Sequence, residues 1–221
     1  REDIRDLGFG RAGSSWTTPE NQAAASTFDD WVDKGYFTED FNGVGYDPAW
    51  HHFAKGEGVF LVAGTWLLAD LSKAMGDDLG FALPPVGKSG DLAVTGGTGL
   101  PFAVTDASDH ADVGAAYIDF ITSDEAMSEI AKAGNLPVVG ADKAKVSGAQ
   151  ADVFDAWTTA GEQDALVPYL DYATPDFYDL LTAQVQKLSA GSESPGQFLD
   201  KLETEYTGFT SQNGSSENSG G

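Results

Sequence analysis

Gly64-Thr65-Trp66 sets a tryptophan directly after an unbroken apolar run, Val59-Phe60-Leu61-Val62-Ala63. Such a run suits a strand covered on both faces, and ligands collect at the carboxyl ends of strands in open α/β sheets. An indole ring there is a flat wall on which the C–H face of a sugar ring could pack, with hydroxyls satisfied by polar neighbours such as Thr65. Core packing is the competing reading, and from the residues alone it is favoured, because large aromatics mostly serve packing. A second place is Thr95-Gly96-Gly97-Thr98-Gly99, where glycines inside an extended segment mark close backbone approach or a tight bend.

Signals for bond-making chemistry fail one by one. Gly87-Lys88-Ser89 ends like a phosphate-binding loop, but the earlier glycine of that pattern falls on Ala82 and Pro84-Pro85 stiffens the segment. His51 and His52 are adjacent, so on a helix they face different ways and cannot share a metal as an i, i+4 pair would. No G-x-S-x-G occurs. A glycosidase needs two carboxylates across a cleft, and with 35 acidic residues some pair is always available. No catalytic residue, metal ligand or cofactor site is therefore assigned.

Composition narrows the classes further. The formal net charge of −23, from 35 acidic and 12 basic residues, excludes a general affinity for nucleic acid or anionic lipid. It also argues against phosphorylated or carboxylated cargo. With 41% hydrophobic residues and five tryptophans, 221 residues can form one large domain or two small ones with a substantial core. There are no cysteines, hence no disulfides, thiolate metal sites or cysteine nucleophiles. No apolar stretch nears the length of about 18 residues needed to span a membrane. Residue 1 is Arg, and the chain reads as though cut from something longer.

The elements that must hold these residues follow from capping and periodicity. Thr18-Pro19 opens a helix carrying Ala24, Phe28, Trp31 and Val32, and Gly35 ends it. Tyr46-Asp47-Pro48 starts a short helix through Trp50 and Phe53 that Gly56 closes. Leu67, Leu71 and Met75 are the core stripe of the helix after Trp66. Residues 79–83, 92–94 and 101–105 read as further strands. Val113, Ala116, Tyr117, Phe120 and Ile121 form an apolar stripe. Thr122 with Glu125 is the capping box of the next helix, which ends at Gly134. Val153, Phe154 and Trp157 mark another. Thr174-Pro175 caps a long helix whose core face is Phe177, Leu180, Leu181, Gln184, Val185 and Leu188, and Ser194-Pro195-x-Gln197 opens the last. Residues 211–221 are Gly/Ser-rich and read as a disordered tail.

Phe53-x-x-Gly56, the apolar run and Gly64-x-Trp66 together resemble the extracellular solute-binding proteins of ABC importers, in their carbohydrate-binding, maltose-binding-protein-like group. The order continues in the same pattern. Ala115-Ala116-Tyr117-x-x-Phe120-Ile121-Thr122-Ser123 is similar to the family's "AA-x-x-F-I/L-x-S" helix, Asn135-Leu136-Pro137 resembles the turn after it, and Pro168 to Leu188 the late cleft loop and helix. The resemblance covers roughly Thr18 to Phe209.

It implies an α/β, two-lobed, type II periplasmic-binding-protein-like fold, about half of which is present. Residues 1–99 would be a second-lobe segment with its crossing strand, 100–145 a segment contributing to the first lobe, and 146–210 a helical return to the second. It implies ligand contact at Trp66, with Thr65 as a weaker partner, and a second aromatic wall at Tyr178, beside Phe177. Gly96, Gly97 and Thr98 could donate backbone N–H groups to sugar hydroxyls, make only a tight bend, or help the lobes rotate. Asp176 could accept from vicinal hydroxyls, but charge at a helix start is the favoured reading for it. Trp16, Tyr46, Asp47 and Trp50 are further cleft candidates, with core or surface packing the expected reading for Trp50 and for Trp31. The implied partners are a neutral mono- or oligosaccharide and the transmembrane subunits of an ABC permease, with the receptor a monomer outside the cytoplasm, extracellular or periplasmic, on a lipid anchor or free. A carbohydrate-active hydrolase or a fixed sugar-binding module is the alternative.

Overall fold

The computed structural model describes residues 1–86, 90–96 and 101–213. Its α-helices are α1 (Glu2–Gly8), α2 (Pro19–Asp33), α3 (Tyr46–Ala54), α4 (Leu68–Met75), α5 (Ala111–Ile121), α6 (Asp124–Lys132), α7 (Ala149–Glu162), α8 (Phe177–Ser189) and α9 (Pro195–Asn213). Strand β1 (Val94–Thr95) pairs with β2 (Leu166–Val167). The chain packs as two compact units, one of Arg1–Ala49 with Val167–Gly221 and one of Trp50–Leu166.

The first unit is helical. Thr18 caps α2 through its hydroxyl, which accepts from the Asn21 N–H at 3.2 Å, and Pro19 follows at the first turn, as the sequence predicts. Ala25 rather than Ala24 faces the core and Trp31 is half exposed, while Phe28 packs against the core as the periodicity predicts. Leu7, Trp16, Phe177, Leu188, Leu202 and Tyr206 are the centre of this core. The Tyr206 hydroxyl donates to the Arg11 carbonyl at 2.7 Å and lies 3.2 Å from that of Asp6, tying α9 to the end of α1. Ser194 and Gln197 form the expected reciprocal capping box of α9. That helix continues through 211–213, which the sequence reads as tail.

Thr174 does not cap α8. Its side chain is buried and its hydroxyl bonds Glu205 Oε1 at 3.4 Å, while Asp176 occupies the cap position without a side-chain capping bond. The predicted core face of α8 is otherwise present, with Phe177, Gln184 and Leu188 buried.

In the second unit, Leu68, Val153 and Phe154 join Ala131 and Ala141 in one cluster, and Leu92, Ala160 and Ala165 form another. The Val94 N–H donates to the Ala165 carbonyl at 2.9 Å. Ser123 caps α6 in place of Thr122, whose hydroxyl turns back to the Ile118 carbonyl.

Three expectations for this unit are corrected. Residues 59–63 are not a buried strand: Val59, Phe60 and Val62 are 82%, 89% and 102% exposed. Residues 79–83 and 101–105 form no strand either. The α5 stripe faces solvent at Val113, Tyr117 and Phe120. A strand exists only with a neighbour to take its backbone N–H and C=O groups. Among the described residues only β1 and β2 provide that for each other.

Candidate functional site

Trp66 stands in the 3-10 turn Thr65–Leu67 that leads into α4. Leu67, Leu68 and Leu71 are buried and fix this turn from below. Trp66 is 57% exposed, which overturns core packing as its role, and Thr65 beside it is exposed as well. The indole folds back over Gly64, where a β-carbon would meet three of its ring carbons at 2.2–2.4 Å. An exposed aromatic ring held by its own backbone neighbour is a surface on which an apolar ligand face can rest at little cost in side-chain entropy.

Gly96 lies beside Leu166 and Trp157, and a β-carbon there would stand 3.5 Å from the nearest atom, ordinary packing distance. Gly96 is thus not a position where close approach demands glycine. Gly97 and Thr98 lie outside the described residues, as do residues 87–89.

Tyr178 and Asp176 belong to the first unit, at the start of α8. Phe177 is fully buried and stacks on Trp16, centroids 5.0 Å apart. Tyr178 points outward and is 62% exposed. The side-by-side pair is thereby sorted into one core ring and one surface ring, and Trp16 is a core residue rather than a cleft residue. Tyr178 lines an open pocket of about 620 Å³ with Phe9, Tyr172, Phe209, Asp171 and Thr174. Asp176 is exposed and not part of this lining.

Phe9 and Tyr172 were missed from sequence. Phe9 reaches the rim because Gly10, at φ +63°, lets the backbone close on the Ala173 carbonyl, which a β-carbon would approach to 2.6 Å. The Arg11 guanidinium sits 5.5 Å above the Phe9 ring. Tyr172 lies in a short turn and contacts Tyr169, centroids 5.6 Å apart. Burial, with the charges of Tyr172 and Asp171, pushes the Tyr169 phenol above its ordinary range. The sequence signal for this pocket is the aromatic, acidic run Tyr169-Leu170-Asp171-Tyr172, which lies within the stretch resembling the family's late cleft loop.

The residue types are aromatic faces, a hydroxyl and a carboxylate acceptor, which suit ligands with an apolar face and hydrogen-bond donors better than anions. His52 bonds Glu57 at 2.8 Å, and no cluster of metal-ligating side chains occurs among the described residues. Residues 5–152 match the family described as bacterial extracellular solute-binding protein, over more than half of the chain. The chain belongs to that family.

Two solved structures share the fold of this solute-binding chain. One is a chitin oligosaccharide binding protein, at 24% identity and a TM-score of 0.74, aligned over 96% of this chain and 54% of the other. The second is a Synechococcus sp. MITs9220 protein, provisionally assigned as an oligosaccharide periplasmic-binding protein, at 17% identity and a TM-score of 0.64 over 96% of this chain and 59% of the other. The solute-binding chain therefore spans little more than half the length of the structures it resembles. No curated protein matches it. No helix among the described residues is long and apolar enough to cross a membrane.

Proposed function

We propose that this chain is the C-terminal part of a two-lobed receptor that captures a neutral sugar, an oligosaccharide above all, and delivers it to an ABC permease. Within it, residues 1–99 and 146–210 belong to the second lobe and 100–145 to the first. The observation that carries the reading is Trp66: a family member of the solute-binding class presents an exposed indole on a buried helix start. Tyr178, in an open aromatic pocket, gives a second ring of the same kind. The family supports a solute-binding role, and the oligosaccharide binding named for both similar structures supports the ligand class.

The mechanism is capture by population shift. Open and closed forms exchange, and the sugar favours the form in which both lobes touch it. The protein supplies ring faces, hydroxyl partners and shape, with no covalent step. It acts as a monomer outside the cytoplasm, in the periplasm or held by a lipid anchor. Its acidic surface keeps anionic solutes from competing.

The test is a tryptophan-fluorescence titration of the complete protein against neutral mono- and oligosaccharides, with product analysis of each sugar afterwards. Saturable binding with the sugar recovered intact is expected. Trp66→Ala should weaken binding by about ten- to a hundredfold, ~1.4–2.8 kcal/mol. A folded protein silent across the panel would move the cargo to another solute class, and cleaved sugar would make it a hydrolase.

A further inference from the structure

With 35 acidic residues against 12 basic, the surface of this chain repels anions on average. One groove in the second unit departs from that pattern. Helix α6, the loop after it, the turn Ala141–Lys143 and the start of α7 enclose about 620 Å³. Lys132, Lys143 and Lys145 all line it, and Asp124 is the one carboxylate in the lining. Lys132 pairs with Glu129 of its own helix at 2.6 Å. Lys143 and Lys145 are exposed and form no ion pair with a described residue. Met127, Val139 and Val146 add apolar surface to a lining that also carries Ser128, Ser147 and Gln150.

The chemistry of the groove narrows its occupant. An ammonium is a point charge on a flexible stem and lacks the planar fork with which arginine orients a single phosphate or carboxylate. Exposed charges are also individually weak and screened by salt. Three of them around a wall of mixed apolar and polar side chains suit an extended ligand offering several carboxylates with apolar side chains between. We propose that this groove is a docking surface for an acidic, partly apolar polypeptide segment of a partner protein. Lys132, Lys143 and Lys145 steer the segment, and Met127 and Val146 receive its apolar side chains. No solute enters this contact, and the peptide titration below is run on the sugar-free protein, so its outcome is read separately from sugar binding.

The probe is a short fluorescein-labelled peptide alternating Glu and Leu, titrated into the protein at low and at physiological salt, with its Gln–Leu counterpart as control. Saturable binding of the acidic peptide is expected, weakening several-fold as salt rises. The double variant K143Q/K145Q should lose at least about fivefold in affinity and K143E/K145E should abolish binding, while K34Q, at an exposed lysine of the first unit, changes nothing. Both groove lysines are exposed, and an unchanged thermal melt reports that the variants are folded. Equal binding of the two peptides, undiminished binding by folded K143Q/K145Q, or no binding at all would overturn the proposal. So would stronger binding to phosphatidylglycerol vesicles than to the peptide, lost in the same variants, which would make the groove a lipid contact.

Discussion

The Trp66 indole rests on Gly64, so that a β-carbon at residue 64 would lie 2.2–2.4 Å from carbons of its six-membered ring. The backbone of Gly64, at φ −92° and ψ 160°, is open to any residue. What requires glycine there is the ring. Gly64→Ala should swing the exposed indole away without disturbing Leu67 and Leu68 beneath it. The expected result is a shifted tryptophan emission and a several-fold loss of sugar affinity, with a nearly unchanged melting temperature. Unaltered affinity in the folded variant would mean that the ring's position over Gly64 is irrelevant to the ligand.

Phe177 and Tyr178 should separate stability from binding. Phe177→Ala removes a fully buried ring stacked on Trp16 and should cost about 3–5 kcal/mol in urea unfolding. Tyr178→Ala removes a largely exposed ring and should stay within roughly 0.5 kcal/mol, yet lower sugar affinity by about tenfold, ~1.4 kcal/mol. Tyr172→Ala, in the same pocket, tests whether that pocket and not Tyr178 alone meets the sugar.

Val59, Phe60 and Val62 form a contiguous exposed apolar segment. Such segments bind hydrophobic dyes and promote association. Replacing Phe60 and Val62 by Lys should lower dye binding and aggregation of the 221-residue chain while its stability stays within about 0.5 kcal/mol. In a longer chain that supplies neighbouring strands, the same pair should destabilise by several kcal/mol, because charges would be buried. Equal tolerance in both would show that nothing covers the segment.

Tyr206 gives an alkaline signature. Burial is the main cause that raises its phenol above the usual value of 10.0, with Asp6 and Glu203 adding to it and a hydrogen bond with Ser14 opposing. The folded state thus holds this proton more tightly than the unfolded chain. The stability it confers is complete below pH 10 and is lost as pH rises through the folded pKa. Tyr206→Phe should cost about 1–2 kcal/mol at neutral pH, since the Arg11 carbonyl loses its donor, and should flatten the fall in stability above pH 10. A fall as steep as in the parent would assign it to other groups, Tyr169 first among them.

Caps, glycine stops and turn prolines made most of the helices legible. Thr18-Pro19, Gly56 and the Ser194–Gln197 box act within a few residues, so local sequence carries them. The same locality explains the near misses. Thr122 and Ser123 offer equivalent hydroxyls one residue apart, and only the path of the chain selects Ser123.

By itself, the sequence determined the family pattern, most of the helical elements, the acidic composition and the failure of the enzyme motifs, but not the first helix, Glu2–Gly8. It could not determine which apolar surfaces are covered. Val59 to Ala63 has the composition of a buried strand, but a strand is made by its neighbours, and those are long-range facts. Only the tertiary structure put Trp66 in solvent over Gly64, sent Phe177 inward and Tyr178 outward, and brought Phe9 beside Tyr172 across a close approach of Gly10 to Ala173. Burial and pocket formation depend on residues far apart in sequence meeting in space, and no local pattern records where that happens.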